Sequence, residues 1–373
     1  MKILSSIDGI AEKSWDDVIG ATPLAQHGSL RTFESASTLG TLPQYFVLGS
    51  VDRPLAVAIG RLARTAEQCK QITSPLLGRA AILAPALAAY CSPMLILSLR
   101  PMYGPALLAD PHKDREAQKS LLSQLCSEIE RFADERRLTI AVAGITDRDQ
   151  LVIEVLRERG FYETLGYPVA ELEVYWDSWD GYLDRLKPRR RQFIRREANT
   201  FEARGCRIRT LKQGEPIPAV LYELLHEHYQ RRNNRKAPYN NKLLDVLRKN
   251  TVSNSRIYIA EHQDQILGFL GVLWKDTVGA TPYLGIGSQV RASNMFVYFN
   301  LIFYQLVRDA PELGLHRILY GTGVYEAKRL RGCSIIPTRL FLRPRRGLAT
   351  AVTQPAFALH RRWYEKKLTH LFS

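Results

Sequence analysis

Long apolar runs are scarce in this chain. The longest, GRAAILAPALAAYCSPMLILSL, is broken by Pro85 and Pro93, so it does not read as a membrane span. Cysteine is sparse too. Cys69, Cys91, Cys126, Cys206 and Cys333 are scattered, odd in number and without a C-x-x-C pair. That pattern argues against a disulfide framework and against a zinc site. His226 and His228 stand two apart on an expected helix. They do not share a face, and no metal site is expected. The apolar run at the N-terminus is too short for a signal peptide, so the cytoplasm is the expected compartment. Acid is outnumbered by base. The 37 Asp and Glu against 52 Lys and Arg leave a formal charge of +15. Such a balance bears on partners: phosphates, nucleic acid, anionic cofactors or membrane surfaces. A merely basic, solvated surface is the alternative.

What is present suits a folded protein of two domains. The 373 residues exceed one compact core, and 46% are hydrophobic against 24% charged. QYFVLG and RPLAVAIG predict two strands joined by a turn near Asp52. In REAQKSLLSQLCSEIERFADERR, Leu121, Leu122, Leu125, Cys126 and Ile129 recur at helical spacing. LTIAVAGI predicts a short buried strand. DRDQLVIEVLRERGF predicts a helix ended by Gly160, and PVAELEVYW alternates as a half-buried strand should. In the second half, residues 255–287 predict three strands with turns near Asp264 and Thr277. A helix is expected from about Ser293 to Leu313. LHRILYG predicts a strand, a short helix runs from Val324 to Gly332, and IIPTRLFL is the last strand. The two halves share this plan, with Arg159-Gly160-Phe161 and Arg331-Gly332-Cys333 at the same point in it.

Positive charge gathers in three places. Arg185, Lys187, Arg189, Arg190, Arg191, Arg195 and Arg196 crowd one linker. Pro188 suits the first turn of a helix there, and Arg191 and Arg195, four apart, share a face. A fixed row of charge suits a phosphate backbone. A solvated helix packing through Ile194, Ala198 and Phe201 is the alternative. A second group runs from Lys328 through Arg339, Arg343, Arg345 and Arg346. A third, His360 to Lys367, interleaves Trp363 and Tyr364, which suits either a single-stranded nucleic-acid end or the outer face of a last helix.

Three stretches together resemble the FemAB-like acyltransferases, which carry two GNAT-like domains in tandem. They are the linker YLDRLKPRRRQFIRREANTFEARGCRI, the hairpin DQILGFLGVLWKDTVGATPYLGIG and the segment GTGVYEAKRLRGCSIIP. In the last, Tyr325-x-x-Lys328-x-x-Arg331-Gly332 resembles the family's aromatic-lysine-glycine segment near the acyl donor. The resemblance implies an α/β fold. It would have two GNAT-like domains, residues 1–176 and 177–373, each a mixed, mostly antiparallel sheet flanked by helices. It also implies acyl transfer to an amine, with the donor site in the second domain.

The donor is either aminoacyl-tRNA or an acyl-CoA, used as co-substrate with no tightly bound cofactor. CoA-using members carry an Arg/Gln-x-x-Gly-x-Gly/Ala loop whose N–H groups cradle pyrophosphate. Here GIGSQVRASNMFVYFNL lacks that spacing, with Gly285 and Gly287 coming early. Arg291 at the following helix start remains an alternative pyrophosphate contact. The missing loop and the three basic clusters turn the expectation toward tRNA. Expected roles follow. Lys328, Tyr325 and Tyr283 are the catalytic candidates. Arg291, Asn294, Tyr298, Gly321, Gly323 and Arg331 line the donor. Lys187, Arg191, Arg195, Arg343, Arg345 and Arg346 hold nucleic acid, and Tyr239 and Asn240 hold a small amine acceptor. Packing tyrosines and a solvated loop are the alternatives for the aromatic and acceptor positions. A non-catalytic nucleic-acid-binding protein is the remaining reading.

Overall fold

The computed structural model describes residues 1–77, 84–99, 104–251, 253–291 and 294–345. The chain divides into two units. The first holds Met1–Glu34, Leu39–Val169 and the chain from Ile335; the second holds Ser35–Thr38 and Ala170–Ser334. The expected boundary at 176/177 assigned everything after it to the second unit. The chain instead returns to the first unit at Ile335, because the last strand pairs there.

In the first unit the strands are β1 (Lys2–Leu4), β2 (Leu42–Gly49), β3 (Pro54–Ala63), β4 (Met94–Leu97), β5 (Leu107–Ala109), β6 (Thr139–Thr146) and the greater part of β7 (Tyr162–Glu173). In the second unit β7 ends, and β8 (Cys206–Thr210), β9 (Ser255–His262), β10 (Gln265–Lys275), β11 (Val278–Ile286) and β12 (Arg317–Gly321) follow. β13 (Ser334–Arg343) then runs in the first unit from Ile335.

The first unit's sheet has the order β1-β2-β3-β4-β6-β13-β7, with β5 on β3. β4 and β6 pair in parallel. All eight residues of β6 are buried, which explains its near-continuous apolar sequence: both of its faces are covered. The expected long helix spans Arg115–Glu135. It starts at Asp114, whose carboxylate accepts from Ala117 N at 2.8 Å, and buries Leu122, Leu125, Cys126, Ile129 and Phe132. The helix Gln150–Glu158 buries Val152, Ile153, Val155 and Leu156. It stops at Gly160, where φ is +73°, and Phe161 N reaches back to Leu156 O at 3.0 Å.

The second unit's sheet runs from the end of β7 through β12, β11, β10 and β9 to β8. β9, β10 and β11 form the three strands read from the sequence. Gln263 and Asp264, both at positive φ, make the two-residue turn between β9 and β10. The helix expected from Ser293 is shorter and irregular. An α-turn at Val297–Phe299 passes into a π-helical stretch, Asn300–Tyr304, and returns to α at Gln305–Asp309. All five cysteines are buried, and none is in a disulfide. Among the described residues no helix is long and apolar enough to cross a membrane.

Candidate active site

A splayed pair of parallel strands organises the second unit. β11 and β12 pair only over Val278–Ala280 and Arg317–Leu319. Thr281 Oγ1 then donates to Leu319 O at 3.3 Å and the strands part. β11 runs on to Ile286 against β10. From Pro282 onward, one edge of β11 has no strand partner among the described residues. The helix Val220–Asn233 packs against this part of β11. A side chain at Gly285 would meet Leu225 N at 2.8 Å and the Leu224 carbonyl carbon at 2.9 Å. Gly285 is thus required by close backbone packing, not by a phosphate.

The partner strand ends in a turn of unusual backbone. Gly321, Gly323 and Val324 have φ of +67°, +77° and +52°. Left-handed geometry is free for glycine but strained for a β-branched valine. The turn directs three carbonyls at one ammonium. Lys328 Nζ donates to Tyr320 O at 2.7 Å, Gly321 O at 2.9 Å and Thr322 O at 3.2 Å. An ammonium has three hydrogens, and all three have acceptors here. Lys328 is 4% exposed. Burial pushes its pKa down to about 8, with Arg232 adding in the same direction and Cys333 opposing. The expected ammonium facing a donor is corrected: Lys328 closes the turn that ends β12.

Arg331 is corrected in the same way. It is 2% exposed and donates to the Glu197 carboxylate at 2.5 Å, to the Tyr304 hydroxyl at 3.0 Å and to Ala327 O at 2.9 Å. Its guanidinium stacks 3.5 Å from the Phe299 ring. Tyr304 also donates to Glu197, and the Asn300 amide donates to Glu197 O at 3.3 Å and Phe296 O at 3.1 Å. This buried group fastens both ends of the π-helical stretch. Such stretches recur at functional sites.

Tyr298 stands just before that stretch and is half-buried. Its hydroxyl makes no hydrogen bond among the described residues. Burial pushes its pKa up, while Arg232 and Arg331 pull the other way. The Arg232 guanidinium lies 5.9 Å from the Tyr298 ring. Arg232 is exposed, with no ion pair among the described residues. Sequence reasoning passed over Arg232 as one cation in a polar loop. It is in fact the last-turn residue of the helix Val220–Asn233.

The acceptor candidates belong to a scaffold. Tyr239 is buried, its ring edge-on to Tyr283 at 5.6 Å and to Tyr229 at 6.3 Å. Tyr283 is 5% exposed, and burial raises its pKa. The Asn240 amide donates to Ser35 O at 3.1 Å and its carbonyl accepts from Lys242 N at 2.9 Å. Asn240 is therefore a strap to the short segment Ser35–Thr38, not an open pocket group. Tyr325 opens the short helix Tyr325–Arg329 and is half-buried; Asn294 is exposed at φ +49°. Arg291 closes a helical turn, Ser288–Arg291, with its side chain outside the described residues.

In the loop after β11, Ser288 N donates to the Glu227 carboxylate at 2.8 Å, and Arg231 donates to Ile286 O at 2.9 Å. The loop that lacks the pyrophosphate-cradling spacing thus also has a carboxylate on the N–H of Ser288.

The basic clusters separate on inspection. Arg191 pairs with Asp184 at 2.9 Å and Arg195 with Asp180 at 3.0 Å. Arg343 makes a two-point contact with Asp134 at 2.8 and 2.9 Å. Arg343 is corrected from a phosphate contact to an ion pair of the first unit. Lys187 is exposed, and neither it nor Arg345 has an ion pair among the described residues. Arg346 and the cluster His360–Lys367 lie outside the described residues.

The two units, each with helices packed on a mixed, mostly antiparallel sheet, place the chain in the α/β class. A family model described as peptidoglycan biosynthesis/recognition matches residues 6–354, and the chain belongs to the FemAB-like family. Similar solved structures cover nearly the whole chain at low identity. FemX is 8% identical, with a TM-score of 0.59 over 91% of this chain and 97% of its own. The L-PGS structure from Bacillus licheniformis is 11% identical, with a TM-score of 0.57 over 95% and 96%. The C-terminal domain of a putative lysylphosphatidylglycerol synthetase from Agrobacterium fabrum is 12% identical, at 0.58 over 96% and 98%. No protein with a curated description matches the chain in sequence.

Proposed function

We propose that the chain forms an amide by moving an aminoacyl group from aminoacyl-tRNA to an amine of a small-molecule or peptide-like acceptor. The observation that carries this over an acyl-CoA donor is the Glu227–Ser288 contact. A pyrophosphate needs free N–H groups and no nearby anion. The loop after β11 offers the reverse, whereas an aminoacyl ester needs no such cradle at its reacting end. The family description is in keeping with a peptide-like amine acceptor.

The open β11 edge and the Gly321–Val324 turn bracket the reaction. Tyr298, whose hydroxyl has no hydrogen bond among the described residues, is the proton donor to the leaving ribose oxygen. Arg232 stabilises the oxyanion that forms at the carbonyl. Lys328 and Arg331 hold the turn and the π-helical stretch that set these groups. Lys187, Arg345 and Arg346 remain the nucleic-acid contacts. The test incubates purified protein with amine acceptors and either a labelled charged tRNA pool or labelled acetyl-CoA. Product that disappears on RNase treatment supports the reading. RNase-resistant product with CoA release replaces it with the acyl-CoA alternative. No product with either donor leaves a nucleic-acid-binding protein. Tyr298→Phe should lower kcat about 100-fold with little change in KM.

A further inference from the structure

The segment 175–196 holds seven Lys and Arg against three Asp. Two of the acids, Asp180 and Asp184, take Arg195 and Arg191; Asp177 is exposed beside them. The row of charge that would follow a polynucleotide backbone along the helix Pro188–Ala203 is thereby broken. Of the cations with no ion pair among the described residues, Arg185, Arg190 and Arg196 lie over two exposed rings. Arg185 lies 4.9 Å over Tyr175, which is 66% exposed. Arg190 and Arg196 lie 5.9 and 5.6 Å over Phe193, which is 37% exposed. Arg189, Phe193 and Arg196 fall at i, i+4 and i+7, one outward stripe of the helix, while Ile194, Glu197, Ala198 and Phe201 bury its other side.

We propose that this stripe docks the protein on an anionic phospholipid surface. Aromatic rings flanked by guanidinium groups suit the boundary between headgroup and acyl chain. There the ring enters the apolar edge and the cations meet lipid phosphates. Each Lys or Arg brought to such a surface adds roughly a fivefold gain in binding. The inference stands apart from the acyl-transfer reading, because binding is measured without substrate.

The experiment sediments the full chain with vesicles of phosphatidylcholine and phosphatidylglycerol in equal parts, and with phosphatidylcholine alone. Binding only to the anionic vesicles, weakening with salt, is expected. Arg189→Glu with Arg190→Glu and Arg196→Glu should lower it at least about tenfold. Phe193→Ser should lower it severalfold while the salt dependence stays. The same charge change at exposed sites elsewhere, Arg235→Glu with Lys236→Glu and Lys249→Glu, should leave it within about twofold. Circular dichroism checks that each variant is folded, and Phe193→Ser decides if the triple variant is not. Equal binding to both vesicles overturns the proposal. So does equal loss from the two triple variants, or unchanged binding by the stripe variants. Loss of oligoribonucleotide binding with vesicle binding intact would make the stripe an RNA surface instead.

Discussion

The same turn is built twice in this chain, and the two copies differ in what they carry. In the first unit, Gly160 N reaches Arg157 O at 2.9 Å and Phe161 N reaches Leu156 O at 3.0 Å. In the second, Gly332 N reaches Arg329 O at 3.0 Å and Cys333 N reaches Lys328 O at 3.1 Å. Each is preceded by an arginine paired to a glutamate: Arg159 to Glu130 and Arg331 to Glu197, both at 2.5 Å. The environment separates them. Arg159 and Glu130 keep 22% and 16% of their side chains exposed, whereas Arg331 and Glu197 keep 3% and 1%. Upstream, the first unit enters its helix from Asp149, whose carboxylate holds Thr146 N at 2.7 Å. The second enters through three positive-φ residues and a buried lysine. One copy closes its polar groups locally. The other has a left-handed turn in place of a side-chain cap and holds it with buried charge.

The largest expected effect comes from the buried pair. Arg331→Met leaves a carboxylate uncompensated in the interior and should cost about 3–5 kcal/mol. Arg159→Met should cost about 1 kcal/mol. Denaturant midpoints measure both, and equal losses would break the comparison. Lys328→Met comes next, at about 3 kcal/mol, since three carbonyls lose their donor. Turnover should fall with it, while Tyr298→Phe should lower turnover with the midpoint unchanged.

The acid side tests the first unit. Burial would raise the Glu163 pKa, but Arg157 and Arg339 outweigh it and hold it below its ordinary value of 4.5. The folded chain therefore takes up that proton later than the unfolded one. The contribution is whole above about pH 4.5 and fades as pH falls through the lowered value. Glu163→Gln should flatten that part of the stability profile; an unchanged slope would place the acid sensitivity elsewhere. Val324→Gly is the smallest effect. Relief of the left-handed strain and the entropy of glycine oppose each other, leaving a gain of about 1 kcal/mol or less. A loss in the midpoint would mean that the valine side chain, not its backbone, matters.

Much of this fold was legible because its elements are locally determined. The spacing of Leu122, Leu125, Cys126 and Ile129 marks a helix face, and the turn at Gln263-Asp264 marks a hairpin, without reference to distant residues. The site was legible as a segment but not as chemistry. The stretch from Gly321 to Gly332 was rightly read as glycine-rich turn, short helix and glycine stop. Its cations were read as facing a ligand because spacing along the chain shows neither that the turn before Lys328 aims its carbonyls back at the ammonium nor where the partner of Arg331 lies. Glu197 is 134 residues from Arg331, and helical spacing cannot reveal which cation a distant acid will bury. Arg232 was missed for a related reason. It sits among five nearby cations, and what marks it out is its approach to Tyr298, on another helix.

β13 carries a consequence for how this chain comes into being. The first unit's sheet places β13 between β6 and β7, yet β13 is made after the whole of the second unit. As the chain leaves the ribosome, the first unit waits with β6 lacking one neighbour until about residue 343 has emerged. An unpaired, largely apolar strand is an aggregation hazard. The second unit is continuous from Ala170 to Ser334 apart from one four-residue segment. β13 follows the second unit in the chain, so a stop codon before Ser334 should leave the first unit's sheet without it.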